Sequence, residues 1–538
     1  MRQYLSLLNA PKAIACALAL GVIFSSAPSP AQAQLTAFKQ AVAETGSRDD
    51  VIAKFYRDHN FEGIWTGNSD LHAARRSALF DVLSRAGDHG LPVSRYDVTA
   101  LERQMKAARS ARDLGLIEVE MTRMYLQYAR DIQSGALIPS QVVDAIKREV
   151  EYTDRAELIS GFLSSQPAAY LRGLAPRTVE YSALMKQKML LQEQQQNGGW
   201  GPTVNASSLK PGASGPAVLT LRNRLMSMGY LARSNAKTYD AAMVEAVKAF
   251  QKAHGLEIDG SAGESTIKEL NQTIATRLKL VLVALERERW LNKERGDRHI
   301  LVNIPDFTAK VLDHGHVTFE TRSVVGANKE DRPTPEFSDT MTHMVINPSW
   351  YVPRSIVVNE YLPALRNNRN AVSHIEITDR KGRKINRGAT NFAKYTARNF
   401  PFAMRQPPSS TNALGLVKFM FPNKYNIYLH DTPAKSLFGR EVRAFSHGCV
   451  RLSEPFEFAE TLLSKQEADP MGFFKSKLNT GREARVNLET PVPVHIIYRT
   501  AFTDARGNMN FRRDIYGRDA KIWNALQKAG VEVGGVQG

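Results

Sequence analysis

The chain has 538 residues, 43% of them hydrophobic, and it carries a formal net charge of +17. This length predicts two to four domains, and the hydrophobic content is sufficient for packed cores. No segment after residue 33 is long and apolar enough to cross a bilayer, which excludes an integral membrane protein from the candidate classes. The excess of lysine and arginine favours a polyanionic partner.

The first 33 residues have the layout of a cleavable export signal. They begin with a basic, acid-free stretch, continue with an apolar or small run over residues 13–24, and end in Ala31-Gln32-Ala33, a small-x-small cleavage site. The apolar run is well short of the ~20 residues that span a bilayer. A lipid anchor on Cys16 is the alternative, but Lys12 would lie in its apolar stretch. We therefore predict a signal peptide over residues 1–33.

Export narrows the partners that the positive charge favours. We expect no nucleic acid outside the cytoplasm, whereas the cell wall there is an acidic polymer whose stem peptides carry free carboxylates. A membrane surface or lipopolysaccharide is a weaker alternative, and a basic surface that serves only solubility stays open. The charge falls only to +15 when Arg2 and Lys12 leave with the signal, so it belongs to the mature chain.

Residues 34–200 are predicted to form a helical scaffold. Ala73–Ala86 and Leu114–Ile132 repeat apolar residues at helical spacing. The acids and histidines of this region are scattered, so no catalytic cluster is expected there. The polar, low-complexity stretch Gln192–Gly199 is predicted to be a connection or a mobile loop.

Residues 207–272 are predicted to be a second helical unit. Apolar residues from Val218 to Met228 recur at helical spacing, a second helix ends in Ala249-Phe250-Gln251, and Asp259-Gly260 marks a turn before a third short helix. This pattern resembles the three-helix peptidoglycan-binding domain. A small helical spacer without a ligand is the alternative, because such modules are often reused structurally.

Residues 273–297 are predicted to link this unit to the next through one long amphipathic helix. Its charges alternate over Glu286, Arg287, Glu288 and Arg289. Such alternation is typical of a solvated face with ion pairs three or four residues apart. We therefore expect a rigid connection with a solvent-facing charged side.

Residues 298–520 show strand patterns, which predict a β-rich domain. An insert over residues 353–412, rich in Arg and Asn, interrupts this domain, and a long insert inside a β domain is usually functional, often as a lid. Residues 521–538 are predicted to be a C-terminal tail. The predicted strands are Ile300–Ile304, Ala309–Leu312, Thr321–Gly326, Met344–Pro348, Lys424–His430 and Val492–Tyr498.

The mature chain is left with one cysteine, Cys449. In an exported protein a lone thiol is either a tolerated leftover or a reactive group. His430 lies 19 residues upstream (449 − 430), at the end of a predicted strand, from which an imidazole can take the thiol proton. Gly448 allows backbone N–H groups to approach an oxyanion, and His447 is predicted to support the loop or the substrate.

Other roles for these residues stay open. Cys449 is alternatively an inert buried thiol, His430 a structural histidine and Arg451 a brace for the loop. His430, His447 and Cys449 are also candidate zinc ligands, but they lack a clear fourth ligand and a second cysteine pair. We therefore predict no metal and no cofactor.

The segment Ser446–Leu452, with His430 upstream, resembles the catalytic signature of the peptidoglycan L,D-transpeptidases. Asn347–Pro353, Asn412–Phe419 and Phe511–Arg518 are similar to that family as well, and the domain order is similar to that of its large periplasmic Gram-negative members. The resemblance implies a multidomain α+β fold. Its parts are a helical N-terminal scaffold, a three-helix peptidoglycan-binding domain, and a β-rich catalytic domain with a capping insert.

The resemblance also implies a periplasmic enzyme that forms 3→3 cross-links between peptidoglycan stem peptides. Cys449 is then the nucleophile that releases D-alanine, and His430 is the general base and acid. The alternatives are an L,D-carboxypeptidase, a lipoprotein-anchoring enzyme and a non-catalytic wall-binding protein. The residues implied to contact the substrate are Arg451, Tyr428, Asn412 and Trp350.

Overall fold

The computed structural model describes residues 30–329, 331–504 and 506–534. Most of the predicted signal peptide, residues 1–29, lies outside the described residues. The chain divides into two compact units, one formed by residues up to His72 together with Leu101–Thr122, the other by Ala73–Ala100 and the residues from Arg123 onward. No helix in the described ranges is long and apolar enough to cross a bilayer.

Helices dominate the chain up to Trp290. The stretch Gln192–Gly199, predicted as a connection or mobile loop, is helical as far as Gln196, because its Gln and Glu residues are good helix formers. The helices are α1 (Pro30–Gly46), α2 (Asp50–Asp58), α3 (Asp70–Ser84), α4 (Val98–Ala107), α5 (Ala111–Ser134), α6 (Pro139–Val142), α7 (Arg155–Leu163), α8 (Pro167–Gly173), α9 (Val179–Gln196), α10 (Pro216–Ser227), α11 (Ala241–Ala253), α12 (Glu264–Leu270), α13 (Ile274–Trp290), α14 (Arg354–Ile356), α15 (Leu362–Asn367), α16 (Pro455–Leu463), α17 (Pro470–Leu478) and α18 (Arg518–Ala529).

The first unit contains a fully buried carboxylate, that of Glu118 on α5. It accepts hydrogen bonds from the backbone N–H groups of Ile64 (2.6 Å) and Thr66 (2.9 Å) and from the hydroxyl of Tyr56 (2.8 Å). A buried carboxylate is costly without such donors. These bonds therefore fix the turn that follows α2 against α5.

Helices α10, α11 and α12 form a small three-helix unit with its own core, as predicted. Arg222 of α10 is buried, and its guanidinium donates to the carbonyl oxygen of Thr238 (2.7 Å) and to the carboxylate of Asp240 (2.9 Å). Asp240 also caps α11, so this pair ties the two helices together. The core consists mainly of Val218, Leu221, Leu225, Met243, Val247, Phe250 and Leu270.

Helix α13 is buried, so the predicted solvated face is wrong. The exposed fraction is 0% for Glu286 and Arg289, 4% for Arg287 and 3% for Glu288. Glu286 and Arg289 do pair along the helix, at 2.7 Å. Arg287, however, pairs with Glu336 of the β-rich region at 2.7 Å, and charge alternation along a helix does not reveal such distant partners.

Residues 521–538, predicted as a tail, begin inside helix α18, which packs on α13. Arg518 and Asp519 at its start are buried and join the same charged cluster: Arg518 pairs with Glu336 at 2.9 Å, and Asp519 pairs with Arg287 at 2.8 Å. The apolar residues that seal the contact are Leu282, Val283, Ile522, Trp523 and Leu526. The last helix is therefore part of the folded core.

The C-terminal region is β-rich, as predicted, but the strand expected at Lys424–His430 is mostly a loop. Asn423 holds that loop, since its side chain donates to the carbonyl oxygen of Ile427 (2.8 Å) and accepts from the N–H of Tyr425 (3.0 Å). The strands are β1 (Arg298–Asn303), β2 (Thr308–Asp313), β3 (His316–Gly326), β4 (Phe337–Ile346), β5 (Trp350–Tyr351), β6 (Glu376–Thr378), β7 (Ala403–Gln406), β8 (Val417–Met420), β9 (Leu429–His430), β10 (Ala444–Ser446), β11 (Val450–Leu452), β12 (Ala484–Ile497), β13 (Ala501–Thr503) and β14 (Met509–Phe511).

Nine of the described strands form one sheet, in the order β10-β3-β11-β9-β8-β4-β12-β1-β2. Because β2 also pairs with β3, this sheet closes on itself, which leaves few strand edges free. The short strands β9 and β11 lie side by side and parallel. The core includes Ile300, Val302, Met344, Phe419, Leu429, Val450, Val494 and Ile496.

The predicted insert, residues 353–412, folds together with the residues that flank it, including Trp350 and Leu414, as a small subdomain with its own core, called the insert subdomain below. Strands β5, β7 and β6 form a three-stranded sheet, and a π-helical turn (Val357–Tyr361) lies between α14 and α15. Tyr428 packs against both this core and the core of the large sheet. The subdomain core consists of Trp350, Ile356, Val357, Leu362, Leu365, Ile375, Ile377, Phe392, Phe400, Met404 and Leu414.

Candidate active site

Cys449 lies in a tight loop between β10 and β11. The hydroxyl of Ser446 accepts from the N–H of Gly448 (3.1 Å) and donates to the carbonyl oxygen of Cys449 (2.5 Å). Gly448 is buried and has a φ of +114°, a region that favours glycine, and an added Cβ would lie 3.2 Å from the side chain of Ile427. The loop therefore requires glycine here and presents Cys449 in one fixed, half-buried position.

The register of the two parallel strands brings the predicted residues together. Leu429 pairs with Val450 and His430 pairs with Arg451, which places Tyr428 beside Cys449. Because side chains alternate along a strand, Tyr428, His430, Cys449 and Arg451 lie on the same face of the sheet. The rings of Tyr428 and His430 are 5.7 Å apart. Four of the residues predicted from the sequence thus form one cluster.

The thiol of Cys449 contacts the loop that precedes β9. Its Sγ lies 3.6 Å from the carbonyl oxygen of Asn426, and Tyr428 also forms hydrogen bonds with it. Burial raises the pKa of Cys449 to about 11, although Tyr428 and the charges of Arg451 and Lys418 act in the opposite direction. At neutral pH the resting group is therefore the neutral thiol.

His430 is buried, and its Nδ1 lies 2.5 Å from the carbonyl oxygen of Asp431. A bond to a carbonyl requires a proton on Nδ1, so the neutral ring keeps its lone pair on Nε2, as a general base must. Burial, helped by the charge of Arg451, lowers the pKa of His430 to about 3. Among the described residues no hydrogen bond joins His430 to Cys449, so the resting pair is an uncoupled neutral imidazole and thiol.

Asp431 is itself held in place, which fixes the orientation of the His430 ring. Its carboxylate accepts the N–H of Leu416 (2.9 Å) and pairs with Lys435 (2.7 Å). Gly415 packs so closely that an added Cβ would lie 2.2 Å from this carboxylate. This support was not predicted, although Gly415 and Leu416 lie in Asn412–Phe419, a segment that resembles the family.

His447 points towards the insert subdomain. Its Nε2 lies 2.6 Å from Oε1 of Glu360, and the same oxygen lies 2.6 Å from Nη2 of Arg332. Glu360 belongs to the π-helical turn, a type of helix defect that is common at functional sites. This arrangement fits the supporting role predicted for His447. Glu360 and Arg332 were missed in the sequence because they lie far from the signature.

Two cations lie beside the thiol. Arg451 was predicted, and its buried Nε has no hydrogen-bond partner among the described residues. Lys418 was not predicted. It lies opposite His430 in the register of strands β8 and β9, and its Nζ lies 6.0 Å from the ring of Tyr428. Burial lowers the pKa of Lys418, and the charge of Glu483 opposes that shift. Both cations are placed to receive an anionic group or to stabilise the thiolate.

Asn412 and Trp350 are buried in the insert subdomain. Their positions do not support the substrate contact that was predicted for them. Asn412 is fully buried, and its amide donates to the carbonyl oxygens of Pro348 (3.1 Å) and Pro407 (2.9 Å) and accepts from Leu414 (2.8 Å). Trp350 is 8% exposed and packs in the subdomain core. The hydrogen-bonding capacity of Asn412 is used internally, so it braces the junction.

Within residues 30–329, 331–504 and 506–534, no group of three or more His, Cys, Asp or Glu side chains is arranged to hold a metal ion. His430 and His447 hydrogen-bond to a backbone carbonyl and to a carboxylate, respectively. The cluster around Cys449 consists of a thiol, an imidazole, a phenol and two cations. Those groups suit nucleophilic attack on a carbonyl that lies near a carboxylate.

Three family models match the chain in the predicted order. A scaffold domain matches residues 50–187, a model described as "Putative peptidoglycan binding domain" matches residues 214–270, and an L,D-transpeptidase catalytic domain matches residues 297–494. The last range contains both Cys449 and His430. The C-terminal domain belongs to the L,D-transpeptidase catalytic domain family. The family resemblance inferred from the sequence is thereby confirmed.

One curated relative agrees with this family. A protein of Haemophilus influenzae (strain ATCC 51907 / DSM 11121 / KW20 / Rd), named "Putative L,D-transpeptidase", is 31% identical over 241 residues. That match covers 43% of this chain and 47% of the relative, so the chain spans about half of the relative's length.

Two solved structures are similar to parts of this chain. An L,D-transpeptidase from Xylanimonas cellulosilytica DSM 15894 (residues 123-326) is 16% identical, with 55% of this chain and 98% of that chain covered and a TM-score of 0.18. A fused Zn-dependent amidase/peptidase/peptidoglycan-binding protein from Clostridium acetobutylicum ATCC 824 is 14% identical, with 54% and 99% covered and a TM-score of 0.15. Scores this low carry no fold assignment.

Proposed function

We propose that this chain is a peptidoglycan L,D-transpeptidase that forms 3→3 cross-links through an acyl-enzyme on Cys449. The observation that carries the proposal is the cluster of Tyr428, His430, Cys449 and Arg451 on one sheet face of an L,D-transpeptidase catalytic domain. The thiol lies beside a base and two cations, which suits acyl transfer from a peptide that bears carboxylates.

In the first half-reaction His430 takes the thiol proton, and sulfur attacks the carbonyl between diaminopimelate and D-alanine. A carbon–sulfur bond forms, the carbon–nitrogen bond breaks, and His430 returns the proton to the leaving amine of D-alanine. In the second, the side-chain amine of another diaminopimelate attacks the thioester and gives its proton to His430. The carbon–sulfur bond then breaks, and the sulfur regains the proton.

This mechanism needs His430 and the thiol to couple when substrate binds. Catalytic hydrogen bonds are often long in unliganded enzymes and tighten in the substrate complex. Lys418 and Arg451 favour the thiolate that must form, since their charges lower the pKa of Cys449. The guanidinium of Arg451, whose buried Nε has no hydrogen-bond partner among the described residues, would meet a substrate carboxylate. The N–H of Cys449 and the hydroxyl of Tyr428 would serve the oxyanion.

The insert subdomain, residues 353–412, acts as a cap that excludes water from the thioester. Tyr428 supports this role, because it packs against the core of the subdomain and also lies beside Cys449. Exclusion of water favours an amine acceptor over hydrolysis. An exposed thioester would instead favour the L,D-carboxypeptidase reaction.

The enzyme works in the periplasm on the cell wall. The predicted signal peptide would export the chain, and the positive charge of the mature chain suits the carboxylates of stem peptides. The region that matches a peptidoglycan-binding domain, residues 214–270, would hold the catalytic domain near its polymer. No nucleic acid and no cofactor are required.

Purified disaccharide-tetrapeptide provides the direct test. Mass analysis should detect a cross-linked dimer that has lost one D-alanine, with the linkage between two diaminopimelate residues. Cys449→Ala should give no product above background and no carbapenem adduct. Tripeptide alone would identify a carboxypeptidase, and product from Cys449→Ala would overturn the assignment of the nucleophile.

A further inference from the structure

The hydroxyl of Thr334 is committed to the catalytic loop. Thr334 is fully buried in the segment that precedes β4. Its Oγ1 donates to the carbonyl oxygen of Gly448 (2.7 Å) and accepts from the N–H of Gly326 (2.9 Å). Because the hydroxyl both donates and accepts a hydrogen bond, its orientation is fixed. Gly448 precedes the nucleophile, so this bond acts on the peptide unit that carries Cys449 N–H.

That peptide unit is planar, so fixing one end fixes the other. In a trans peptide the C=O of Gly448 and the N–H of Cys449 point in opposite directions. The N–H of Gly448 and the C=O of Cys449 are bonded to Ser446. Among the described residues no acceptor is bonded to Cys449 N–H. The hydroxyl of Thr334 therefore aims the free donor of the loop away from the core and towards the cleft.

Thr334 is held by three other elements of the fold. Arg518 of α18 donates to its carbonyl oxygen at 2.6 Å and pairs with Glu336 at 2.9 Å. Glu336 also pairs with Arg287 of α13. The hydroxyl of Tyr516 donates to the carbonyl oxygen of Gly326, and the N–H of Gly326 donates to the hydroxyl of Thr334. These contacts hold Thr334 in one position, so it does not shift when the loop that carries Cys449 moves.

We propose that Thr334 is a positioning residue for the oxyanion donor, setting the Gly448–Cys449 peptide so that Cys449 N–H meets the substrate carbonyl. This inference rests on the proposed acyl transfer. It predicts that loss of the hydroxyl harms reactions that pass through an oxyanion and spares reactions of the thiol that do not.

Two reagents separate these effects on the full-length enzyme. A carbapenem acylates the thiol through a tetrahedral oxyanion, whereas iodoacetamide alkylates it by direct displacement without one. Thr334→Val keeps the side-chain shape and removes the hydroxyl. It should slow carbapenem acylation at least about tenfold, since loss of a whole oxyanion donor typically costs ~10²–10³ in rate. Alkylation should change less than about twofold, and Thr334→Ser should restore acylation.

Thr321→Val is the matched control. Thr321 is also buried in the catalytic domain and hydrogen-bonds through its hydroxyl, but its partner is Glu454. The control should leave the ratio of the two rates unchanged. If Thr334→Val does not fold, Thr334→Ala offers the same comparison with space for a water molecule.

Equal losses in both reactions, or no loss of acylation, would overturn the positioning role of Thr334. Failure of the proposed function has a different signature. The wild-type enzyme would then form no cross-linked product from tetrapeptides, whatever the Thr334 variants do to the two reagent rates.

Discussion

Glu360 and His447 join the insert subdomain to the loop that carries Cys449, with Oε1 and Nε2 2.6 Å apart. Arg332 shares the same carboxylate oxygen. The side chains of Glu360 and His447 are each about one-third exposed, so solvent screens their attraction and a large contribution to stability is not expected. The importance of the contact lies in its position, because it links the insert subdomain to the loop that carries Cys449.

Glu360→Gln should loosen the cap without unfolding it. The amide keeps the size of the side chain but loses the charge that attracts Arg332 and His447. We expect the ratio of hydrolysed to cross-linked product to rise several-fold, because water reaches the thioester more often. Product analysis from tetrapeptide substrate measures this ratio.

Glu376→Gln is the control for that change. Glu376 pairs with Lys384 (2.6 Å) and Arg405 (3.1 Å) inside the subdomain and does not contact the loop. Its substitution should leave the product ratio unaltered. A Glu360 variant with the wild-type ratio would show that closure does not depend on this carboxylate.

His430→Ala should lose more activity than His447→Ala. His430 lies on the same sheet face as Cys449, and removal of a general base typically costs ~10²–10⁴-fold in rate. His447 acts through Glu360, so its loss should resemble that of Glu360→Gln. Turnover should be compared between the two variants on equally folded protein. A larger loss in His447→Ala would show that the roles of the two histidines are reversed.

The free enzyme should have an unusually unreactive thiol. Burial raises the pKa of Cys449 to about 11. At pH values below this pKa, the thiolate fraction should increase about tenfold for each unit by which the pH is raised. The rate of alkylation by iodoacetamide should therefore increase steadily from about pH 7 to about pH 9. A plateau with a midpoint near neutrality, typical of a thiolate–imidazolium pair, would contradict a pKa of His430 lowered to about 3 by burial.

Lys418→Met tests the electrostatic part of that argument. The charge of Lys418 lowers the pKa of Cys449, so its removal should raise that pKa and slow alkylation at every pH in this range. An unchanged rate would show that Lys418 does not act on the thiol in the resting enzyme.

Glu336→Gln should destabilise the protein strongly. Glu336 is 2% exposed and pairs with Arg287 and Arg518, which would be left as buried, partly unpaired cations. Breaking a buried pair in this way typically costs ~3–5 kcal/mol. Denaturant unfolding should reveal this loss. Glu320→Gln, which removes a half-exposed partner of Lys310, should change the free energy of unfolding by less than about 1 kcal/mol.

The sequence predicted the elements whose signals are local. Apolar alternation located β1 to β4 and β12, helical spacing located α3, α5 and α10 to α13, and the residues around Cys449 identified a candidate nucleophile and a candidate base, His430. It failed where a residue's environment depends on distant partners. Charge alternation in α13 was interpreted as a solvated face. The charged side chains of the helix are in fact buried, and Arg287 forms ion pairs with Glu336 and Asp519. Thr334 and Glu360 belong to no motif, and Lys418, although it lies in the family-like segment Asn412–Phe419, reaches the site only through the pairing of β8 with β9.

Burial of α13 also determines what counts as a minimal enzyme. A chain that begins at residue 298 would lack Arg287, and the carboxylates of Glu336 and Asp519 would lose this buried partner. We expect such a truncated chain to unfold at lower denaturant concentration and to acylate slowly even while folded. Helix α13, the last helix and the closed sheet should therefore melt together as one cooperative block.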